Sequence, residues 1–361
     1  STAVGALADT QIAALTTTQV ASLSVTSLTS LNATQIGAFT TTQIGALQRT
    51  QLAALDTTTL SALDETQMGA LNATQIKALT ATQISGLTAE DVAEMTTTQI
   101  ANLAATQVQA LTSTNMASMA DTQVAAFTTS QVKAFSASTI AAFTDTQIAA
   151  LTTTQVSALG ATQIAGLTET NVAAMTNTQI GAITATQIAS LTATAVSGFD
   201  SAQFASLSTT QVKALTTTQM SALNATDISD FTNTQIAALT TTQITGLTTT
   251  NVGDLTETQI GALSTAQVQS LSASSISSMS DTQIAAFANT QIAALASNQV
   301  QGLNATNIGA LTTTQIGALT STQIALLSTT NVRAMADTQV AAMSTTQVRA
   351  FTASQITALR T

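Results

Sequence analysis

The chain has 361 residues, a formal net charge of −10, and no His, Cys, Trp, Tyr or Pro. Without His and Cys it lacks the usual ligands of zinc, haem and iron–sulfur clusters, a thiol nucleophile and an imidazole base, so we expect no enzyme, metal or cofactor. Only seven Lys and Arg residues, and no apolar run near about 20 residues, argue against nucleic-acid binding and membrane insertion.

One eight-residue pattern runs along the chain from end to end. An apolar series starts at Val4 and reaches Ile356 in steps of eight, and a second runs from Leu7 to Leu359. Each series has 45 members, all Leu, Ile, Val, Met or Phe. Written from the residue after each Leu, the unit is Thr-x-Thr-Gln-Ile-x-Ala-Leu, numbered here as positions 1 to 8. We predict one continuous octapeptide-repeat solenoid over residues 1–361, a segment of a longer array.

Each unit has the signature of a helix start. Position 1 is Ser, Thr, Asn or Asp in 36 of 45 units, and position 4 is Gln in 32, which together make a capping box. The Leu before the cap and the apolar residue at position 5 are placed as a hydrophobic staple. Acids concentrate in positions 1 to 4 and bases at position 6, as the helix dipole favours.

These signals predict an all-α superhelical solenoid of very short capped helices, one per eight-residue repeat. One uninterrupted helix is disfavoured, because eight residues overshoot two helical turns by roughly 80° and would wind the apolar stripe around the helix. Isolated helices this short are unstable in water, so the apolar residues of successive units must share a core. The Gln at position 4 is either only a cap or also part of a stacked amide ladder.

A longer period lies inside the short one. Thirteen units lack Gln at position 4, and the gaps between them are always 24 or 32 residues, with a mean of about 27. We interpret this period as one superhelical turn of about 3.4 repeats. The residues at those positions are Ala3, Ser27, Thr59, Asp91, Asn115, Thr139, Asn171, Ala195, Asp227, Asn251, Ser275, Asn307 and Asn331.

The same units carry the three acids found at position 7. We therefore define a candidate lateral seam, whose ten residues are Asp91, Glu94, Asn115, Asn171, Asp227, Asp230, Asn251, Asp254, Asn307 and Asn331. Three interpretations stay open: Gln is unneeded where the coil opens to solvent, the seam contacts another copy or a ligand, or the acid pairs bind calcium. The pairs lack the Asp-x-Asp-x-Asp-Gly loop of a calcium site.

The recurring Leu-Thr-x-x-Gln-Ile-x-Ala-Leu resembles the Thr/Gln/Ala/Leu octapeptide arrays of very large, adhesin-like bacterial surface or secreted proteins. The resemblance implies an extracellular or cell-surface location and a stalk, fibre or sheath role, and it carries over no site residues. Our first hypothesis is a structural, non-catalytic rod whose partner is itself, in a homo-oligomer, filament or bundle. The alternative is an adhesive or ligand-binding solenoid for a glycan, a peptide or an ice surface.

Overall fold

The computed structural model describes residues 4–359, which form 44 α-helices and, within that range, no strand. The chain divides into two compact units, Ser1–Ile183 and Thr184–Thr361, each with 22 helices. None of the described helices is both long and apolar enough to cross a membrane.

The helices of the first unit are α1 (Asp9–Ala13), α2 (Thr17–Ser22), α3 (Val25–Leu28), α4 (Ala33–Gly37), α5 (Thr41–Ala46), α6 (Arg49–Leu52), α7 (Thr57–Leu60), α8 (Glu65–Gly69), α9 (Ala73–Ile76), α10 (Ala81–Gly86), α11 (Ala89–Ala93), α12 (Thr97–Asn102), α13 (Ala105–Ala110), α14 (Ser113–Ser118), α15 (Asp121–Ala125), α16 (Thr129–Val132), α17 (Ala137–Ala141), α18 (Asp145–Ala150), α19 (Thr153–Ala158), α20 (Ala161–Ile164), α21 (Glu169–Ala173) and α22 (Asn177–Ala182).

The helices of the second unit are α23 (Ala185–Ser190), α24 (Ala193–Val196), α25 (Ser201–Ser206), α26 (Thr209–Ala214), α27 (Thr217–Ala222), α28 (Ala225–Asp230), α29 (Asn233–Ala238), α30 (Thr241–Thr245), α31 (Thr249–Gly253), α32 (Glu257–Ala262), α33 (Thr265–Gln269), α34 (Ala273–Ser278), α35 (Asp281–Ala285), α36 (Asn289–Ala293), α37 (Ser297–Gly302), α38 (Ala305–Ala310), α39 (Thr313–Ala318), α40 (Ser321–Leu326), α41 (Thr329–Arg333), α42 (Asp337–Ala341), α43 (Thr345–Arg349) and α44 (Ala353–Ala358).

The helices follow one another at one per octad, which confirms the predicted phase, and in an octad such as that of α19 two extended residues complete the unit. In α19 the cap Thr152 has φ −71° and ψ 155°, and Leu159 after the helix has φ −61° and ψ 134°. The extended Leu and the extended cap that follows it redirect the chain into the next helix. No residue of the described chain has a positive φ, so this turn needs no left-handed residue.

The predicted capping box starts most of the helices. Thr152 Oγ1 accepts the Gln155 N–H at 3.2 Å, and Gln155 Oε1 accepts the Thr152 N–H at 2.7 Å. In eight helices the side chain of the cap makes no such bond, and the N–H at position 4 donates to the backbone carbonyl of the cap instead. Those eight caps are Ala8, Gln48, Ala104, Ala120, Gly160, Ala288, Ala296 and Ala336.

Positions 5 and 8 form the core of each unit. Away from the chain ends the position-5 side chains are almost fully buried, and those at position 8 are nearly so. Neighbouring octads touch through position 8, as in the edge-to-face pair of Phe127 and Phe135, whose ring centroids lie 4.9 Å apart. Successive turns touch through both positions: Phe204 at position 5 meets Phe231 at position 8, with centroids 5.3 Å apart.

The turn length agrees with the longer period in the sequence. Helices pack against the helix three octads ahead, as α2 does on α5 and α34 on α37. Hydrogen bonds between turns include those of Ser157 to Ala182 and of Gln48 to Ala21, whose partners are 25 and 27 positions apart. Both units are therefore solenoids of short helices whose turn is close to the predicted longer period.

Candidate functional site

The side chain at position 4 points into the preceding turn and joins it to its own helix. Gln179 is 2% exposed, and its Oε1 accepts the N–H of the cap Thr176 at 2.7 Å. Its Nε2 donates to the carbonyls of Ile148 at 2.8 Å and Leu151 at 2.6 Å, 31 and 28 residues earlier. We call this arrangement the glutamine bridge.

The glutamine bridge supplies a further donor to carbonyls near the end of a short helix. The Ile148 carbonyl receives only the Leu151 N–H at 3.2 Å from its own octad, and the last carbonyls of any helix lack an intrahelical partner. A buried carbonyl without a donor costs about 1–3 kcal/mol. The bridge recurs from Gln43 to Gln179 in the first unit and from Gln219 to Gln355 in the second.

The glutamine bridge differs from both interpretations of the regularly spaced Gln. The oxygen caps the helix as predicted, but the nitrogen reaches backbone carbonyls of another turn and not the amide of a neighbouring Gln. Sequence analysis missed this second role because it depends on which octads are neighbours in space. The longer period was the available signal, since it places each Gln about one turn after the carbonyls it meets.

The five Asn residues of the candidate seam occupy the same place and make a shorter bridge. Their side chains are at most 4% exposed. Asn115 donates from Nδ2 to the Leu87 carbonyl at 2.9 Å, and Asn251 donates to Leu223 at 2.7 Å, each 28 residues earlier. Asn is one methylene shorter than Gln, and it does not reach the carbonyl of the position-5 residue in the preceding turn. The other three make the same bond, namely Asn171, Asn307 and Asn331.

The two acids at position 4 accept hydrogen bonds where Gln and Asn donate them. Asp91 is 4% exposed, and its Oδ2 accepts the Thr88 N–H at 2.7 Å and the Ser61 hydroxyl at 2.6 Å. Asp227 is 3% exposed and accepts the Asn224 N–H at 2.9 Å. A carboxylate has no proton to donate to a carbonyl of the preceding turn, so here a hydroxyl such as that of Ser61 approaches instead.

The three acids at position 7 are half-buried on the same line. Asp230 accepts the Ser201 hydroxyl at 2.9 Å. Glu94 and Asp254 each have one buried carboxylate oxygen without a hydrogen-bond partner. Burial raises the pKa of Glu94 above its usual value, and the neighbouring charge of Asp91 raises it further, with smaller contributions from Glu90, Glu65 and Asp64.

The structure therefore places the position-4 residues of the candidate seam inside the solenoid, against the preceding turn. Within residues 4–359, no group of three or more Asp or Glu side chains is arranged to hold a metal ion. Contact between the seam and a second copy or a ligand stays a prediction. The chemistry that these residues show here is turn-to-turn bonding.

Two segments of the chain, residues 124–161 and 292–329, match the model of the ALTTAQ repeat. Each segment spans nearly five octads of the pattern described above. No curated protein matches the chain. These matches support a repeat array.

Proposed function

We propose that the chain is a structural, non-catalytic repeat rod of an extracellular fibre, stalk or sheath, and that it associates with itself into filaments. The observation that carries the proposal is the glutamine bridge. It ties octads to the preceding turn, and it recurs from Gln43 to Gln179 and from Gln219 to Gln355.

Two properties of each unit support a load-bearing or spacing role. Stability in such an array accumulates from contacts between neighbours, so length can grow without a larger core. The chain has only 24 charged residues in 361, and Thr, Ser and Ala occupy many of its exposed positions, so charge repulsion between adjacent molecules is weak. Location outside a bacterial cell rests on the resemblance of the octads to surface arrays.

Electron microscopy of the purified chain, with circular dichroism of the same sample, tests the structural role. We expect a helical spectrum and elongated particles, alone or joined into fibres. Rounded particles of a collapsed helical chain would contradict the rod. Protease treatment of intact source cells tests the location, because a surface protein is digested while cytoplasmic proteins are spared.

The ligand-binding alternative stays a prediction. It requires a row of groups open to a glycan, a peptide or ice, whereas the seam residues at position 4 are buried and bonded to neighbouring residues. Many position-1 Thr hydroxyls also accept an N–H of their own helix, as Thr152 does. A glycan array or an ice-recrystallisation assay tests this alternative independently of particle shape.

A further inference from the structure

The acidic residues of the chain are confined to one part of each turn. Thirteen octads lack Gln at position 4 and recur once per turn of the longer period, and we call them the marker octads. All 17 Asp and Glu residues lie in a marker octad or in the octad directly after one, although these octads make up little more than half of the chain. Eleven of the thirteen turns carry at least one acid there. Each unit of the solenoid therefore has an acidic side.

Most of the basic residues lie away from the acidic side. Lys133 follows Asp121 by 12 residues, and Lys77 and Arg349 have the same spacing from the acids before them. In a turn of about 27 residues this spacing is a little under half a turn, so these bases lie on nearly the opposite side. Five of the seven basic residues lie outside the octads that hold the acids, at successive gaps of 28, 56, 80 and 136 residues, each close to a whole number of turns. These five, which we call the basic line, are Arg49, Lys77, Lys133, Lys213 and Arg349.

The structure brings the acids of successive turns close to one another. Position 7 of one turn lies against position 2 of the turn before, as where Asp230 accepts the hydroxyl of Ser201, 29 residues earlier, at 2.9 Å. Glu94 and Glu65 are related by the same spacing. Burial raises the pKa of Glu94, and the neighbouring negative charges, among them those of Asp91 and Glu65, raise it further. The acids of neighbouring turns therefore repel one another.

Nothing within a single helix requires this arrangement. The helix dipole favours acids in the first turn of a helix and bases in the last, but every octad offers both places. Like charges gathered on one side destabilise the chain that carries them, and charges scattered around the turn would avoid this cost. A contact between molecules supplies a reason for the segregation that the single chain lacks.

We propose that copies of this chain associate side by side, with the basic line of one copy against the acidic side of the next. The proposal deepens the self-association proposed above and rests on it. Charge complementarity identifies the occupant as a second copy, since twelve of the 17 acids and all five residues of the basic line are exposed. The two sides differ and lie nearly opposite each other, so the contact is heterologous and leaves each copy a free side for the next, which permits open growth.

Sedimentation velocity over a concentration series tests whether charge drives the contact. We expect assemblies of more than one copy at an ionic strength of about 20 mM, and association about tenfold or more weaker at about 0.5 M, because salt screens charges on the surface. Circular dichroism at both ionic strengths checks that the fold is unchanged. Association of equal strength under both conditions would overturn the proposal.

Two matched charge reversals locate the contact. Lys133→Glu replaces a positive charge by a negative one on the basic line, and Arg333→Glu does the same at an exposed position of a marker octad, on the acidic side. At low salt we expect Lys133→Glu to weaken association about threefold or more, and Arg333→Glu to stay within about twofold of the unmodified chain. Equal weakening by both would show that only the net charge matters and would overturn the proposal.

Complementation identifies the two sides that meet. One preparation carries Lys77→Glu and Lys133→Glu, and a second carries Asp121→Lys and Asp145→Lys, all at exposed positions. Each preparation alone should associate about tenfold or more weakly than the unmodified chain, because like charges then face each other. An equal mixture should recover most of the lost association, since each altered side then meets a side of opposite charge. A mixture as weak as either preparation alone would overturn the contact.

The outcomes separate this contact from the structural role. Elongated particles that stay single at every concentration and at low salt would overturn the side-by-side contact and leave the structural role standing. Fibres that grow only end to end and respond to neither charge reversal would do the same. Rounded particles in electron microscopy would overturn the structural role, whatever the sedimentation result.

Discussion

Gln179 and Asn171 lie in adjacent octads of the first unit and hold the preceding turn in different ways. Gln179 donates to the carbonyls of Ile148 and Leu151 and, at 3.3 Å, to that of Ala149, while Asn171 donates only to that of Phe143, at 3.2 Å. Both oxygens accept the N–H of their own cap. The glutamine octads and the seam octads thus share the cap and differ in the strength of the link between turns.

This difference shows that one side chain performs two separable tasks. The cap needs an oxygen near the start of the helix, which Asn, Asp and Gln all provide. The link between turns needs a donor that reaches far enough, which only Gln fully provides. We therefore expect the candidate seam to be a line of weaker turn-to-turn bonding. Substitutions of four kinds test this expectation and the separation of the two tasks, from the largest expected effect to the smallest.

Gln147→Glu should have the largest effect, because the cap is kept and both donors are lost. The carboxylate can still accept the Thr144 N–H but would face the carbonyls of Met116 and Met119. We expect the free energy of unfolding at neutral pH to fall by about 3 kcal/mol, as measured by hydrogen exchange of the amides of α15 and α18.

Gln11→Glu is the matched control for that substitution. Gln11 is exposed and donates to no other turn, so the change should stay within about 0.5 kcal/mol. Similar losses for the two variants would contradict the claim that Nε2 stabilises the stack.

Alanine substitutions compare the two kinds of octad directly. Gln147→Ala removes two bonds between turns, and Asn115→Ala removes one, to Leu87. We expect losses of about 2–3 and about 1–2 kcal/mol in denaturant unfolding. An equal or larger loss for Asn115→Ala would show that the seam is not the weaker line.

Ala104→Thr separates the cap from the bridge. Ala104 has the backbone of a cap, with φ −72° and ψ 155°, but no side-chain acceptor. A Thr there should accept the Gln107 N–H and stabilise α13 by about 1 kcal/mol in thermal unfolding, without changing the bond from Gln107 to Ile76. The converse variant Thr152→Ala should lose a similar amount. A null result in both would show that the bridge alone fixes the helix starts.

Glu94→Gln should have the smallest effect, and its sign depends on pH. Since the folded protein raises the pKa of Glu94, the stability linked to its proton is present below about pH 4.5 and is lost as pH rises through the folded pKa. The variant should therefore raise the unfolding midpoint at pH 7 and leave it nearly unchanged at pH 4. Glu169→Gln, at an exposed position, is the control for the loss of a carboxylate.

The sequence predicted the local structure well because the local signals agree with one another. A cap such as Thr152, the Gln three residues later and the staple between positions 8 and 5 all mark the same helix start, and the structure confirms one helix per octad. The length of the superhelical turn was also readable, from the spacing of residues such as Asp91 and Asn115.

Two features were beyond the sequence for a physical reason. The partners of a Gln amide in another turn depend on the three-dimensional path, and the same amide also suits a simple cap. The candidate seam was interpreted as a lateral feature, but Asn115 and Asp91 are interior because position 4 of each helix faces the preceding turn. A spacing shows that positions share an angle around the coil and does not show whether they face inward.

The spacing of the glutamine bridge also limits how such a gene can change length. Loss of a single codon would misalign the bridges for a whole turn on either side. Loss or gain of a complete octad leaves a Gln facing the same two kinds of carbonyl, so recombination between octad-encoding repeats yields chains that still fold. The loss or gain of one octad would, however, rotate all later seam residues about the solenoid axis by roughly a quarter to a third of a turn. The successive gaps, each of three or four octads, keep the line in phase, and an array edited one octad at a time would lose that phase.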